Sequence, residues 1–284
     1  MGYAHIENLY RPEAQRILLF RECYALEKIH GTSAHVAWDG SDIRYHSGGE
    51  KHENFVKIFD GMDLAAGFAA LGKPFTIYGE AYGGKCQGMK ATYGDKLKFV
   101  AFDVQIGDAW LSVPDAATFV ERLGLEFVYF QRIPTDLATL DAARDWPSAQ
   151  ARRNGILEPR MSEGVVLRPP FECTGNDGSR ICAKHKRPEF SERKTIPDVD
   201  PSKREMLEKA EAIAEEWVTE MRLTHVLDKL GNPTEMADTG KVIEAMVEDV
   251  CREASGEIRD SKAARKAIGG AAAKLFKDRL RKIA

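Results

Sequence analysis

The apolar positions of this chain follow two different periods. From residue 23 to residue 186 they come in short runs, many alternating apolar and polar, with glycine or proline between them. That is the pattern of strands joined by turns. Residues 23–26 read as a buried strand that leads through Glu27 to Lys28 and a turn at Gly31, and residues 13–20 lead into it. Residues 33–38 alternate, Asp39-Gly40 is a hairpin turn signal, and residues 43–46 return as the partner strand. Further strands are predicted at 74–80, ending in the Glu80 carboxylate, and at 98–104, 126–130, 163–168 and 180–186. Helices are predicted at 63–71, at 116–123 and, in pieces broken at Pro147, over 136–153.

Past residues 197–201 almost every window takes the helical period. Residues 202–223, 239–254 and 261–283 read as helices with charged faces and apolar stripes. The pattern therefore predicts a β-rich α+β domain over 1–195 and a small all-helical domain over 200–284. The proline-bearing segment 196–201 is the expected linker.

Composition narrows the class. Of 284 residues, 43% are hydrophobic and 30% charged, the balance of a soluble globular protein. No apolar run approaches the roughly 20 residues of a membrane span, and the first residues lack a basic-then-apolar signal pattern. The five cysteines are widely spread with no Cys-x-x-Cys pair, which fits reduced thiols and a cytoplasmic setting. The spacing of His30, His35, His46 and His52 matches no helical zinc motif. With a net charge of −3, a nucleic-acid partner has to be held by a local patch. The end of the chain offers one in Lys262, Arg265, Lys266, Lys274, Lys277, Arg279, Arg281 and Lys282.

Charged residues punctuate the strands. Lys28 follows the strand over 23–26, Glu80 ends that over 74–80, Glu163 opens that over 163–168, and Lys184 and Lys186 lie on the last. Lys184 and Lys186 are two apart and share a strand face. Side by side they repel unless an anion lies between them, which suits a phosphate; a solvated edge strand would also carry such lysines. Each of these residues has a plain structural reading when taken singly.

Together they resemble a known set. Glu27-Lys28-Ile29-His30-Gly31-Thr32 resembles motif I of the covalent nucleotidyltransferases, which comprise DNA and RNA ligases and mRNA capping enzymes. Tyr78-Gly79-Glu80 resembles motif III, and Ala101-Phe102-Asp103-Val104 motif IIIa. Glu163-Gly164-Val165-Val166-Leu167-Arg168 resembles motif IV, and Lys184-His185-Lys186 motif V. The detailed text is similar to the RNA ligase 2 family, including the later pair in Phe190-Ser191-Glu192. Ser33 stands where that family has asparagine, and either Arg44 or Lys51 fills its basic motif between I and III.

The resemblance implies an ATP-grasp-like nucleotidyltransferase domain of antiparallel sheets with flanking helices. It implies a monomeric ATP-dependent RNA ligase that joins 3′-OH and 5′-phosphate ends, a nicked duplex among the candidate substrates. Lys28 is then the nucleophile that takes AMP from ATP, and it must be neutral to attack. Neighbouring cations such as Lys184 or Lys186 favour that form and later neutralise the phosphate. Glu80 accepts from the ribose hydroxyls, and Phe102 offers a face to adenine or is plain core. Glu163 engages Mg2+ or Mn2+, and His30 lies over the phosphates. Glu27, Ile29 and Arg44 complete the expected nucleotide contacts. The alternatives are a DNA ligase, a capping guanylyltransferase or a catalytically silent nucleic-acid-binding module. His30 directly after Ile29 favours RNA ligase, because DNA ligases of the superfamily usually carry an acidic residue there.

Overall fold

The computed structural model describes residues 2–62, 64–195 and 206–283. Its contacts divide the chain into two compact units, 1–187 and 188–284. Residues 188–195, grouped with the first domain by the sequence pattern, cluster with the second unit. The expected linker at 196–201 lies outside the described residues.

The first unit is α+β, with two antiparallel sheets. One has the order β7-β1-β8-β9, from β1 (Glu22–Lys28), β7 (Phe130–Pro134), β8 (Gly164–Arg168) and β9 (Ala183–Lys186). The other has the order β3-β2-β4-β5-β6, from β2 (Thr32–Trp38), β3 (Ile43–Ser47), β4 (Phe75–Tyr82), β5 (Lys98–Ile106) and β6 (Ala109–Trp110). The short helices α1 (His52–Val56), α2 (Leu64–Ala69) and α3 (Lys90–Tyr93), with α4 (Val113–Arg122), α5 (Leu137–Arg144) and α6 (Ala149–Arg153), connect the strands. The helices at α4 to α6 begin where the sequence supplies caps: the Ser112, Asp136 and Ser148 side chains accept from backbone N–H groups three residues on.

β1 is interior to its sheet and buried on both faces, so its alternation is blurred. Cys23 and Ala25 pack into a core with Leu9, Ile17, Leu140, Val165 and Leu167. Leu26 packs on the other side into the larger core with Val36, Phe55, Ile77 and Phe99. Side chains alternate along a strand, so Lys28 shares the face of Leu26 and Glu27 shares the face of Ala25.

Some elements of this unit differ from the pattern. The run 126–130 is not a strand: Phe127 makes a single bridge to Ala101, and β7 begins only at Phe130. Its apolar residues are buried by packing against the larger core rather than by strand pairing. β4 continues past Glu80 to Tyr82, so the carboxylate lies within the strand, not at its end.

The second unit is helical, with α7 (Ala210–Trp217), α8 (Glu220–Lys229), α9 (Thr239–Glu253) and α10 (Lys262–Ile283). The run predicted as one helix over 202–223 is broken at Val218, and Thr219 caps α8. Trp217, Leu223, Val226, Met246, Val250, Ile268 and Phe276 form its core. Glu192 pairs with Arg222 and His225, tying the Phe190-Ser191-Glu192 segment into this unit.

Candidate active site

Register brings the site together. Lys28, Gly164 and Lys186 lie opposite one another across β1, β8 and β9. Gly164 has φ of +140° in this row, and a Cβ there would lie 2.1 Å from the His185 carbonyl oxygen. Only glycine fits against the β9 backbone there. The Glu163 carboxylate meets both lysines. Lys28 Nζ lies 2.9 Å from Glu163 Oε2, Lys186 Nζ 2.9 Å from Oε1, and His30 Nδ1 3.2 Å from Oε2.

Burial opposes ionisation of Glu163, but the charges of Lys186, Lys28 and His30 outweigh it and hold the carboxyl well below its ordinary range. Glu80 behaves in the opposite way. Burial pushes its carboxyl up to about 8, against the pull of Lys28 and with the repulsion of Glu163. The turn after Lys28 fits tightly beside it, because a Cβ on Gly31 would lie 2.3 Å from the Ala81 carbonyl oxygen. Gly31 in turn gives Glu80 a backbone hydrogen bond. The His30 backbone N–H donates to the buried Tyr93 hydroxyl at 3.3 Å, which fixes the turn from behind.

The other expected residues are placed as follows. Ile29 is buried in the core. Glu27 faces away from Lys28; its carboxylate accepts from Ser148 Oγ at 2.5 Å and from the Gln150 backbone at 3.0 Å. Its side chain is thus committed to the start of α6. Lys184 shares the face of Lys186, in register with Val166, and its backbone bonds to Glu7 and Leu9. Arg44 is exposed on β3 and pairs with Asp39 at 2.8 Å, while Lys51 is exposed just before α1. Neither is brought to Glu163 by the strands that carry the other motifs.

Phe102 owes its position to a bulge. The register shifts between Tyr78 and Gly79, which pair with Asp103 and Ala101, so Phe102 is the extra residue of β5. Bulges re-aim side chains. Here neighbours in sequence meet the same partner: the Phe102 ring packs edge-on to Tyr3 at 4.9 Å, and Asp103 accepts from the Tyr3 hydroxyl at 2.7 Å.

Asp103 belongs to a second buried charge cluster that the sequence pattern did not reveal. Arg168 lies 2.8 Å from Asp103 Oδ1 and Arg180 2.7 Å from Oδ2, and both arginines also pair with Glu172. Arg180 further stacks over Trp110 at 3.9 Å. Asp103 lies 65 and 77 residues from its two arginines, and no local period marks the pairing. Nor did the sequence pattern mark Ser148 as the partner of Glu27.

A family model described as RNA ligase matches residues 21–186, more than half of the chain. The chain belongs to the RNA ligase family. The matched span runs from the start of β1 to the end of β9, so it contains every residue of the Lys28 cluster. Among solved structures, a Naegleria gruberi RNA ligase with pyrophosphate is similar at 16% identity and a TM-score of 0.52, covering 67% of this chain and 57% of that one. An arginine-to-alanine variant of the same enzyme, solved with ATP and Mn, is similar at 15% identity, a TM-score of 0.52 and the same coverage. The chain thus spans a little over half the length of these structures, and at this identity the likeness is one of fold. No curated protein matches the chain.

Proposed function

We propose that this RNA ligase family member is an ATP-dependent enzyme that joins RNA 3′-OH and 5′-phosphate ends through a covalent lysyl-AMP. The observation that carries this reading is the convergence of Lys28, Lys186 and His30 on the one carboxylate of Glu163. Two amines and an imidazole converging on a single carboxylate are the donors that charge-assisted hydrogen bonds to a nucleotide phosphate need.

In the first step the neutral Lys28 amine attacks the α-phosphorus of ATP and pyrophosphate leaves. In the second, the RNA 5′-phosphate takes AMP from Lys28. In the third, the 3′-OH attacks that phosphate, the phosphodiester forms and AMP departs. Lys186, with Lys184 on the same face, neutralises the phosphate as negative charge develops. Glu80 accepts hydrogen bonds from the ribose hydroxyls, and Phe102 provides a face for adenine, adding about 0.5–1.5 kcal/mol beyond its buried area.

Divalent metal suits the same cluster. Glu163 is held ionised, and its Oε1 accepts no well-directed hydrogen bond. One carboxylate together with phosphate oxygens and water is the usual way Mg2+ is held. Glu163 would hold Mg2+ or Mn2+, which supplies neutralisation of phosphate charge. The Naegleria gruberi structures with ATP and Mn are consistent with this use.

The helical unit is proposed to grip RNA. On α10, Ala264, Ile268, Ala272 and Phe276 turn into the core at helical spacing, while Lys262, Lys266 and Lys274 are exposed. Lysines on an outward face neutralise phosphates without regard to sequence.

The test is incubation with labelled ATP and magnesium, without RNA, followed by a denaturing gel and mass spectrometry. A labelled protein with AMP on Lys28 is expected, and comparison of the four nucleoside triphosphates identifies the donor. An adduct on another lysine, or none, overturns the reading.

A further inference from the structure

The sheet that carries Glu80 has aromatic rings on both faces. One set is core: Tyr45, Phe55, Phe59 and Phe99 pack against one another. The other set lies on the opposite face. Tyr45 is flanked on β3 by Arg44 and His46, which therefore point away from that core. His46 is directly opposite His35 on β2, and His35 directly opposite Tyr78 on β4. Two residues further along, Ser33 is opposite Glu80, so Glu80 shares this face.

These rings form a continuous row. Phe102 meets Tyr3 at 4.9 Å, Tyr3 meets Tyr78 at 5.1 Å, Tyr78 meets His35 at 5.7 Å, and His35 meets His46 at 4.9 Å. The two imidazoles are inclined by only 31°, close to stacked. Tyr78 is buried, His35 half-buried and His46 exposed. The row thus begins at the ring assigned above to the adenine and ends in solvent. His35 and His46, at its outer end, lie outside the hydrophobic core.

We propose that the His35–His46 pair is a stacking platform for an unpaired base of the RNA substrate. This rests on the function proposed above. Transfer of AMP to a 5′-phosphate leaves the adenylate joined to RNA, so bases of the substrate have to lie near the adenine site. Aromatic side chains stack splayed-out RNA bases, because every base has a π-face. Charge supports the same occupant. Burial, then repulsion from His46, pushes His35 down to about 4, so it presents a neutral ring at pH 7. The exposed Arg44 lies on the same face of the same strand, beside His46, where its guanidinium can meet a backbone phosphate.

The experiment uses the full chain and RNA carrying 2-aminopurine beside the end to be joined. Stacking quenches the fluorescence of this base. The wild type is expected to quench it on binding. His46→Ala should lose most of the quenching and bind the RNA about tenfold more weakly, as expected for one lost base stack. His46→Phe, which keeps a ring without the imidazole nitrogens, should restore both. Lysyl-AMP formation needs no RNA and serves as the control for folding. Unchanged quenching in His46→Ala, absence of quenching in the wild type, or failure of His46→Phe to restore it would each overturn the platform. If the wild type forms no lysyl-AMP, the function proposed above fails instead, and the quenching result still decides the platform.

Discussion

β8 has a buried charge cluster at each end, and the two are built differently. Before its first residue, Glu163 meets Lys28, Lys186 and His30. At its last residue, Arg168 meets Asp103 and Glu172, and these also meet Arg180. The second cluster is balanced, two arginines against two carboxylates, with the Tyr3 hydroxyl filling a remaining place on Asp103. Burial and the Asp103 charge hold that hydroxyl well above its ordinary range, so it stays a donor. The first cluster is built around one carboxylate: Lys28, Lys186 and His30 all meet Glu163, while burial pushes the Glu80 carboxyl up to about 8. The Lys28 side chain also keeps 23% of its surface exposed, against 2% for Arg168. A closed ion-pair cluster serves the fold, whereas a cluster whose lysine is open to solvent can take up an anion and release it.

The largest expected effect tests the open cluster directly. Lys28→Ala should abolish labelling by ATP, yet still seal an RNA supplied with AMP on its 5′-phosphate. Persistent labelling would move the nucleophile elsewhere. Glu163→Gln comes next, with the rate of lysyl-AMP formation expected to fall about 10³-fold, the scale of a lost electrostatic contact at a reacting phosphate. Its melting temperature should move far less than its rate. A variant that melts early but keeps its specific activity would place Glu163 with the structural cluster instead.

Asp103→Asn should show the reverse. Breaking a fully buried ion pair costs about 3–5 kcal/mol of stability, so denaturant or thermal unfolding should shift strongly while the folded fraction keeps forming lysyl-AMP. If stability holds and activity is lost, the two ends of β8 are not divided in this way. A chain ending at Arg187 should retain both clusters and form lysyl-AMP. It should bind RNA at least about tenfold more weakly, with a shallower salt dependence, because the α10 lysines are gone. Equal RNA binding would give the helical unit another role.

The smallest effect is in pH. Glu80 ionises near 4.5 when unfolded and at about 8 when folded. Between those values the folded chain holds a proton that the unfolded chain has released, so this group makes stability fall as pH rises from about 4.5 to 8. Glu80→Gln should flatten that slope. In the wild type the KM for ATP should fall as pH rises through about 8, since the ribose hydroxyls need the ionised acceptor. The Glu80→Gln variant should lack this step, and a step that persists belongs to another group.

Much of the candidate site was legible because its residues lie in short local patterns. The strand ending at Lys28, the turn at Gly31, the carboxylate before Gly164 and the two-residue spacing of Lys184 and Lys186 are all written within a few residues. The period of 2 also places Lys186 on one face and His185 on the other, where it meets Asp141. Glu27 was the exception. Adjacent to Lys28 in sequence, it was read with the nucleotide contacts, yet the same alternation turns it to the opposite face of β1.

What the sequence by itself determined is therefore most of the elements, the change from strand to helical period along the chain, and the short motifs that carry Lys28, Glu163 and Lys186. These follow from periods of 2 and 3.6 and from residue chemistry, all of which act over a few positions. Which charges meet was decided only by tertiary structure. Register across β1, β8 and β9 put Glu163 between Lys28 and Lys186. A one-residue bulge turned Phe102 toward Tyr3. The packing of the strands joined Asp103 to Arg168 and Arg180. Such pairings depend on strand order and register, which are fixed by the summed burial of both sheets, so no stretch of sequence around any one partner contains them.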